Sequence, residues 1–268
     1  AVVAESVTYS SRSPSGAPSD NLSGLVARPV TDASFTPRDR LIILTHATGS
    51  TPGDLNPADA WFILANMFAS RGYLVVAADN YGRGASSDRE ETYLMANRTA
   101  YNTLDLVRHV LNDSRYANAY SGNEAAVIGY SQGGHSAIAA WLMHELQASS
   151  DLDISLVYAG GAPHNLYQTV RGVLRHIDGS CGDAFCEYVD EETTVPFATR
   201  RILPALFAYT NTDLSLDEVV TDDTITDTFV SGFLANEAEY STIKSLLQLN
   251  SFTNISNANV LSASNTIV

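Results

Sequence analysis

The segment Ala125–Gly134 constrains the fold of this 268-residue chain more than any other feature. It reads Ala-Ala-Val-Ile-Gly-Tyr-Ser-Gln-Gly-Gly, an apolar run of strand length that passes through a Gly-x-Ser-x-Gly pattern into a predicted helix over Gly133–Leu146. A strand can turn this sharply into a helix only where neighbouring backbone comes very close, which glycine at positions 129 and 133 permits. The pattern predicts a strand–turn–helix unit with Ser131 at its apex.

Ser131 is the predicted nucleophile, because a serine at this apex sits beside the N-terminus of the following helix. A helix N-terminus carries unpaired N–H groups and positive partial charge, both of which stabilise a developing oxyanion. We expect the backbone N–H of Gln132 to be one donor to that oxyanion. The competing interpretation is a glycine-rich turn whose serine has no chemical role.

A second oxyanion donor is expected in the loop after an earlier strand. The apolar run Leu41–Thr45 ends in His46-Ala-Thr-Gly49, where such a loop belongs. The N–H of Thr48 is the predicted donor, with Ala47 as the next choice. His46 precedes the serine by a whole βαβ unit, so we expect it to brace this loop rather than to act as the catalytic base.

Strand and helix patterns alternate between about residues 40 and 160, which is typical of the α/β class with a mostly parallel sheet flanked by helices. The predicted strands are Leu41–Thr45, Tyr73–Ala78, Ala125–Ile128 and Ile154–Ala159, and the predicted helices are Pro57–Ser70, Thr92–Leu111 and Gly133–Leu146. After about residue 165 the pattern is helical, with no buried parallel strand. We therefore predict a core over residues 1–164, a helical cap over 165–255 and a polar connector over 256–268.

The net charge of −15 repels phosphate backbones, and no basic patch offsets it, so a nucleic-acid partner is not expected. No stretch approaches the roughly 18 apolar residues of a membrane helix. The two cysteines, Cys181 and Cys186, are predicted to form a local disulfide, since we find no histidine or further cysteine at metal-ligand spacing. A disulfide and an N-terminus resembling that of a processed protein predict a secreted or periplasmic location.

A third motif, Asp79-Asn-Tyr-Gly82-Arg-Gly84-Ala-Ser86, follows the strand that ends at Ala78, and we expect it to shape one wall of the site, with a structural Asp79. With the His46–Gly49 loop and the Gly-x-Ser-x-Gly turn, it makes the chain resemble the α/β-hydrolase family over about residues 20–165. The Gly-Tyr-Ser-Gln-Gly-Gly sequence followed by a helical cap resembles the pattern of the secretory lipase group. The resemblance implies a small-molecule or lipid carboxylic ester as substrate, a lid over the site and no cofactor or metal.

Several aromatic side chains are candidates either for an acyl pocket or for ordinary packing: Trp61, Phe62, Tyr130, Phe207, Phe229 and Phe233. Esters of polysaccharide-linked acyl groups are an alternative substrate class.

The chain departs from the family pattern, in which the nucleophile is followed by an acid and then by a histidine. Here His176 is the last histidine, and the later acids lie in cap-like sequence. Three hypotheses account for this. A second fragment of the same precursor supplies the acid, the histidine and the last core strands; or His164 serves in a rearranged triad; or the chain is a non-catalytic binding protein on a hydrolase fold. The first would also cover the apolar edge of a sheet that ends just after the elbow.

Overall fold

The computed structural model describes residues 1–12, 18–30, 35–147, 152–210, 212 and 214–253. The chain divides into two compact units. The first, here the N-terminal unit, comprises residues 1–92 and 96–162, and the second, the C-terminal unit, comprises residues 93–95 and 163–268. The predicted division into a core over 1–164, a cap over 165–255 and a connector over 256–268 stays a prediction, and the connector lies outside the described residues.

The N-terminal unit is built on a six-stranded sheet in the order β1-β2-β4-β3-β5-β6. The strands are β1 Val2–Arg12, β2 Pro18–Pro29, β3 Arg38–Thr45, β4 Val75–Ala78, β5 Tyr120–Tyr130 and β6 Asp153–Gly160. The first two pair antiparallel with each other, and β2 pairs antiparallel with β4. The four strands β4, β3, β5 and β6 are mutually parallel. The α/β-hydrolase class predicted from the sequence is confirmed.

Three helices accompany this sheet: α1 Ala60–Ser70, α2 Ala96–Leu111 and α3 Gln132–Gln147. Helix α1 starts at Ala60 because the Asp59 side chain accepts hydrogen bonds from the N–H groups of Trp61 and Phe62, a standard N-cap arrangement. Apolar side chains of α1 pack with the sheet in one buried cluster that includes Leu25, Ile42, Leu44, Trp61, Ala65, Ala69 and Val75. Burial of this face stabilises the unit by roughly 25 cal/mol for each Å² of apolar surface removed from water.

The C-terminal unit is mainly helical. Its helices are α4 Leu166–Asp178, α5 Ala184–Glu187, α6 Thr194–Phe197, α7 Leu203–Tyr209, α8 Leu216–Val219, α9 Asp227–Leu234 and α10 Ser241–Leu249. A short antiparallel hairpin, β7 Val220–Thr221 and β8 Thr224–Ile225, lies between α8 and α9. The unit has its own core, in which the ring of Phe229 contacts those of Phe233 and Tyr240.

Boundaries differ from the sequence predictions mainly at element ends. Strand β5 extends from Tyr120 to Tyr130, well beyond the predicted Ala125–Ile128. Helix α2 starts at Ala96 instead of Thr92, because Leu94 adopts a positive φ of 55°, outside the right-handed helical region. None of the helices in the described residues has the length and apolarity needed to span a bilayer.

Candidate active site

Ser131 lies in the turn between β5 and α3, as the sequence predicts, and its backbone has the left-handed value φ = 55°. For a residue with a side chain this conformation is uncommon and typical of a strained turn that presents a functional group. The turn is held by its backbone: the N–H of Ser131 donates to the carbonyl oxygen of Gly160 at 2.8 Å. Ser131 is partly exposed.

The two glycines flanking the serine are required by close backbone contact. A Cβ at position 129 would lie 2.1 Å from the carbonyl oxygen of Gly133, and one at position 133 would lie 1.9 Å from that of Thr45. These distances are far below any van der Waals contact, and the obstructing atoms are backbone. The Gly-x-Ser-x-Gly pattern therefore reflects the packing of β5, α3 and the end of β3 against one another.

The carboxyl ends of the parallel strands bring the other predicted residues to the same edge of the sheet. Thr45, the last residue of β3, is in register with Gly129 of β5 and with Ala78 of β4. The loop carrying Thr48 therefore leaves the sheet beside the turn carrying Ser131. Gln132 is the first residue of α3, and its backbone N–H belongs to the group that the helix itself leaves unpaired. The assignment of Gln132 and Thr48 as oxyanion donors stays a prediction.

His46 is buried, and both ring nitrogens contact neighbouring loops. Its Nδ1 lies 3.0 Å from the carbonyl oxygen of Ala47, and its Nε2 lies 3.0 Å from Asn80 Nδ2 and 3.1 Å from the carbonyl oxygen of Asp79. With Nδ1 protonated, the ring donates to Ala47 and accepts from the Asn80 amide. These contacts join the loops after β3 and β4, which is the bracing role expected from the sequence.

Asp79 is fully buried and holds the same region together. Its Oδ2 accepts from Ser23 Oγ at 2.6 Å, and its Oδ1 accepts from the N–H of Gly53 at 2.7 Å. Burial raises the pKa of this carboxyl above its usual value, against the opposing effect of these hydrogen bonds. A Cβ on Gly84 would lie 2.5 Å from Asp79 Oδ2, so the glycine of the third motif is required by this buried carboxylate.

Two residues of the site were missed by sequence reasoning, Arg83 and Glu91. Arg83 donates to the carbonyl oxygens of Gly49 and Ser50, both at 2.8 Å. Glu91 accepts a hydrogen bond of 2.6 Å from the side-chain Nε2 of Gln132. Arg83 stands inside the motif Asp79–Ser86, but nothing in the pattern indicates its contacts. Glu91 lies in an unpatterned stretch, and no sequence signal points to it.

In the described part of the chain, the ring nitrogens of His46 and His176 contact groups other than Ser131 Oγ. His164 and His176 belong to the C-terminal unit, where the carbonyl oxygen of His164 accepts from the N–H of Phe252. His176 Nε2 lies 3.4 Å from Glu191 Oε1. His46 and His176 are therefore not hydrogen-bonded to the nucleophile through their ring nitrogens.

Cys181 and Cys186 are joined in the predicted disulfide. The expectation that no histidine lies at metal-ligand spacing was wrong, because helix α4 brings a ring nitrogen of His176 to within 4.8 Å of both sulfur atoms. The two sulfurs are bonded to each other and so are not thiolate ligands for a metal ion.

Five of the six candidate pocket aromatics pack against the two hydrophobic clusters, Phe62 and Phe207 among them as partly buried side chains. Phe229 and Phe233 are fully buried in the core of the C-terminal unit, and Trp61 is buried against the sheet, so these three are packing residues. Tyr130 is different: it precedes Ser131 and is 62% exposed. Its ring lies beside Gly161, where an added Cβ would be 3.1 Å from Tyr130 Cε2.

Comparison with known proteins supports this assignment of the fold. Residues 56–185 match the model of a family described as secretory lipase. No curated protein matches the chain. The resemblance to α/β-hydrolases of the lipase type, inferred from the sequence, is confirmed.

Three solved structures illustrate the similarity of fold. A Legionella pneumophila protein superposes with a TM-score of 0.67 at 21% identity, with 93% of this chain and 70% of that chain covered. The rice cell wall degrading esterase LipA from Xanthomonas oryzae gives 0.61 at 20% identity, with 98% and 79% covered. Candida antarctica lipase A in its closed state gives 0.50 at 17% identity, with 93% and 61% covered.

Proposed function

We propose, on the premise that the chain has the α/β-hydrolase fold of the lipase type, that it is a secreted serine hydrolase of carboxylic esters with Ser131 as nucleophile. The observation that carries the proposal is the conformation of Ser131, a partly exposed serine at φ = 55° between a buried strand and a helix N-terminus. The match of residues 56–185 to the secretory lipase model supports ester hydrolysis and export. The disulfide between Cys181 and Cys186 is compatible with an oxidising compartment.

The reaction is an acyl transfer in two halves. Ser131 Oγ attacks the ester carbonyl carbon, its proton passes to a histidine, and the carbonyl oxygen becomes an oxyanion held by the N–H groups of Gln132 and Thr48. The tetrahedral intermediate collapses, the bond to the alcohol oxygen breaks, and the histidine returns the proton to the leaving alkoxide. Water then attacks the acyl-enzyme by the same route and releases the carboxylic acid.

The acid and histidine of the triad come, in this proposal, from a second segment of the same precursor that pairs with β6. Strand β6 is the last strand of the described sheet, hydrogen-bonded there only to β5, and it exposes Leu156 and Tyr158. An open, apolar parallel edge is a liability that proteins normally cover. A further parallel strand on this edge would end beside the carboxyl ends of β5 and β6, where Ser131 lies. A rearranged triad using His164 is the competing arrangement.

Two substrate classes fit such a site, lipid esters and acyl groups linked to polysaccharides. LipA of Xanthomonas oryzae, which shares the fold, is described as a cell wall degrading esterase. The exposed ring of Tyr130 beside the nucleophile can contact either an alkyl chain or an aromatic acyl group. Assays with a triglyceride emulsion, a short p-nitrophenyl ester and a feruloylated oligosaccharide separate these classes.

The first test is labelling of the native protein with a fluorophosphonate, followed by intact-mass and peptide mass spectrometry. We expect one adduct, on Ser131, and none in the Ser131→Ala variant, which should also lose hydrolysis of p-nitrophenyl butyrate while keeping its circular dichroism spectrum. The intact masses report whether a second fragment accompanies the 28.8 kDa chain. A single species of 28.8 kDa that is labelled on Ser131 would disprove the second segment and favour His164.

A folded, unlabelled protein that hydrolyses no ester would instead support the non-catalytic binding role. Retained hydrolysis in the Ser131→Ala variant would remove the serine from the mechanism altogether.

A further inference from the structure

One side chain fixes the loop that follows β3. The Arg83 guanidinium donates from Nη2 to the carbonyl oxygen of Gly49 and from Nε to that of Ser50, both at 2.8 Å. Its Nη2 also reaches Thr51 Oγ1 at 3.0 Å. A planar guanidinium with five donors can hold three consecutive residues in this way, whereas a lysine ammonium cannot.

The same guanidinium faces Glu91 on its other side. Arg83 Nη1 lies 3.4 Å from Glu91 Oε2, and the two side chains are only 17% and 7% exposed. Salt screens a pair removed from water much less than it screens a surface pair. Glu91 Oε1 in turn accepts from Gln132 Nε2 at 2.6 Å, and Gln132 is buried as well.

The third sequence motif builds this arrangement. Gly82 has φ = 90°, and a Cβ there would lie 2.3 Å from Glu91 Cα. Its N–H donates to Ser86 Oγ at 3.0 Å, and Ser86 Oγ donates to the carbonyl oxygen of Arg83 at 3.0 Å. The glycine therefore lets the chain at Glu91 close onto the turn that carries Arg83.

We propose that Arg83 and Glu91 are positioning residues that hold the two halves of the oxyanion hole in register. The connected path runs from the loop carbonyls of Gly49 and Ser50 through Arg83 and Glu91 to the side chain of Gln132. This inference rests on the proposed function, in which the N–H groups of Thr48 and Gln132 are the donors. Donors act at about 2.7–3.1 Å from the oxyanion, and a displacement of about 1 Å can cost roughly 100-fold in rate.

We expect the effect in kcat, because the oxyanion is absent from the bound ester and develops in the transition state that leads to the tetrahedral intermediate. In the complete enzyme, Arg83→Ala should lower kcat for p-nitrophenyl butyrate roughly 10- to 100-fold with little change in KM. Arg83→Lys should recover only part of the loss. Glu91→Gln keeps an acceptor for Gln132 and should lose less than Glu91→Ala. The double variant Arg83→Ala/Glu91→Ala should lose little more than Arg83→Ala, because both act through one path.

A readout independent of activity comes from hydrogen exchange of the amides in residues 47–53. Arg83→Ala should accelerate exchange there, and the matched control Arg89→Ala, which removes an exposed arginine paired with Asp88, should not. Unchanged exchange in residues 47–53, or wild-type kcat in Arg83→Ala, would overturn the proposal. Failure of the wild type to label with fluorophosphonate counts against the proposed function alone, since the exchange measurement does not depend on catalysis.

Discussion

Thr45 Oγ1 donates a hydrogen bond of 2.7 Å to the carbonyl oxygen of Gly133, which ties the last residue of β3 to the first turn of α3. The same hydroxyl lies 3.3 Å from the carbonyl oxygen of Ile128 in β5. Two strands and one helix therefore meet at a single side chain beneath the turn of Ser131. The conformation of the nucleophile thus depends on packing that tolerates no added atom.

Gly133→Ala should destabilise the N-terminal unit, because the new methyl group would lie 1.9 Å from the carbonyl oxygen of Thr45. Overpacking of a tight site typically costs about 1–3 kcal/mol of unfolding free energy, and here backbone must move. Urea unfolding followed by circular dichroism measures the loss. Gly182→Ala is the matched control, since its Cβ meets only the flexible end of Arg175 at 3.1 Å. Equal losses in both variants would contradict this account.

The sequence predicts the part of the site that is built by backbone geometry. Glycine at positions 129 and 133 indicates that backbone atoms approach each other closely there. The apolar runs of β3 and β5 indicate which edge of the sheet carries Ser131. Arg83 and Glu91 could not be predicted, because their roles depend on long-range contacts between charged side chains that follow no periodicity.

His46→Gln should cost stability and leave the chemistry of Ser131 in place. His46 is buried and contacts the carbonyl oxygen of Ala47 and the amide of Asn80, so losing these hydrogen bonds should lower the unfolding free energy by about 1–3 kcal/mol. We expect the rate of fluorophosphonate labelling at Ser131, and the pH midpoint of that rate, to stay close to wild type. A folded variant that no longer labels would make His46 the general base.

Asp79 should make the N-terminal unit less stable as the pH rises. Burial raises the pKa of this carboxyl in the folded state, so the native protein binds the proton more tightly than the unfolded chain does. The stabilising contribution is complete below the unfolded pKa of about 3.9 and is lost as the pH rises through the folded value.

Asp79→Asn removes this ionisation and should flatten the decline in unfolding free energy between about pH 4 and the folded pKa, measured by urea titration at several pH values. Asp88→Asn, which removes one exposed carboxyl, controls for the change in net charge. The same slope in Asp79→Asn and wild type would show that Asp79 carries no proton-linked stability.

Reduction of the Cys181–Cys186 bond should destabilise the C-terminal unit. The bond closes a short loop with a sequence separation of five, for which loss of chain entropy in the unfolded state gives a stabilisation of about 2 kcal/mol. The loop also carries Asp183, which caps α5 and accepts a hydrogen bond of 2.6 Å from Arg175. Loosening the loop should therefore weaken the contact between α4 and α5.

Urea unfolding with and without dithiothreitol measures the effect. The Cys181→Ser/Cys186→Ser variant should have the stability of the reduced wild type, and dithiothreitol should not change it. A wild type equally stable in both conditions would show that the bond adds nothing to the stability of this unit.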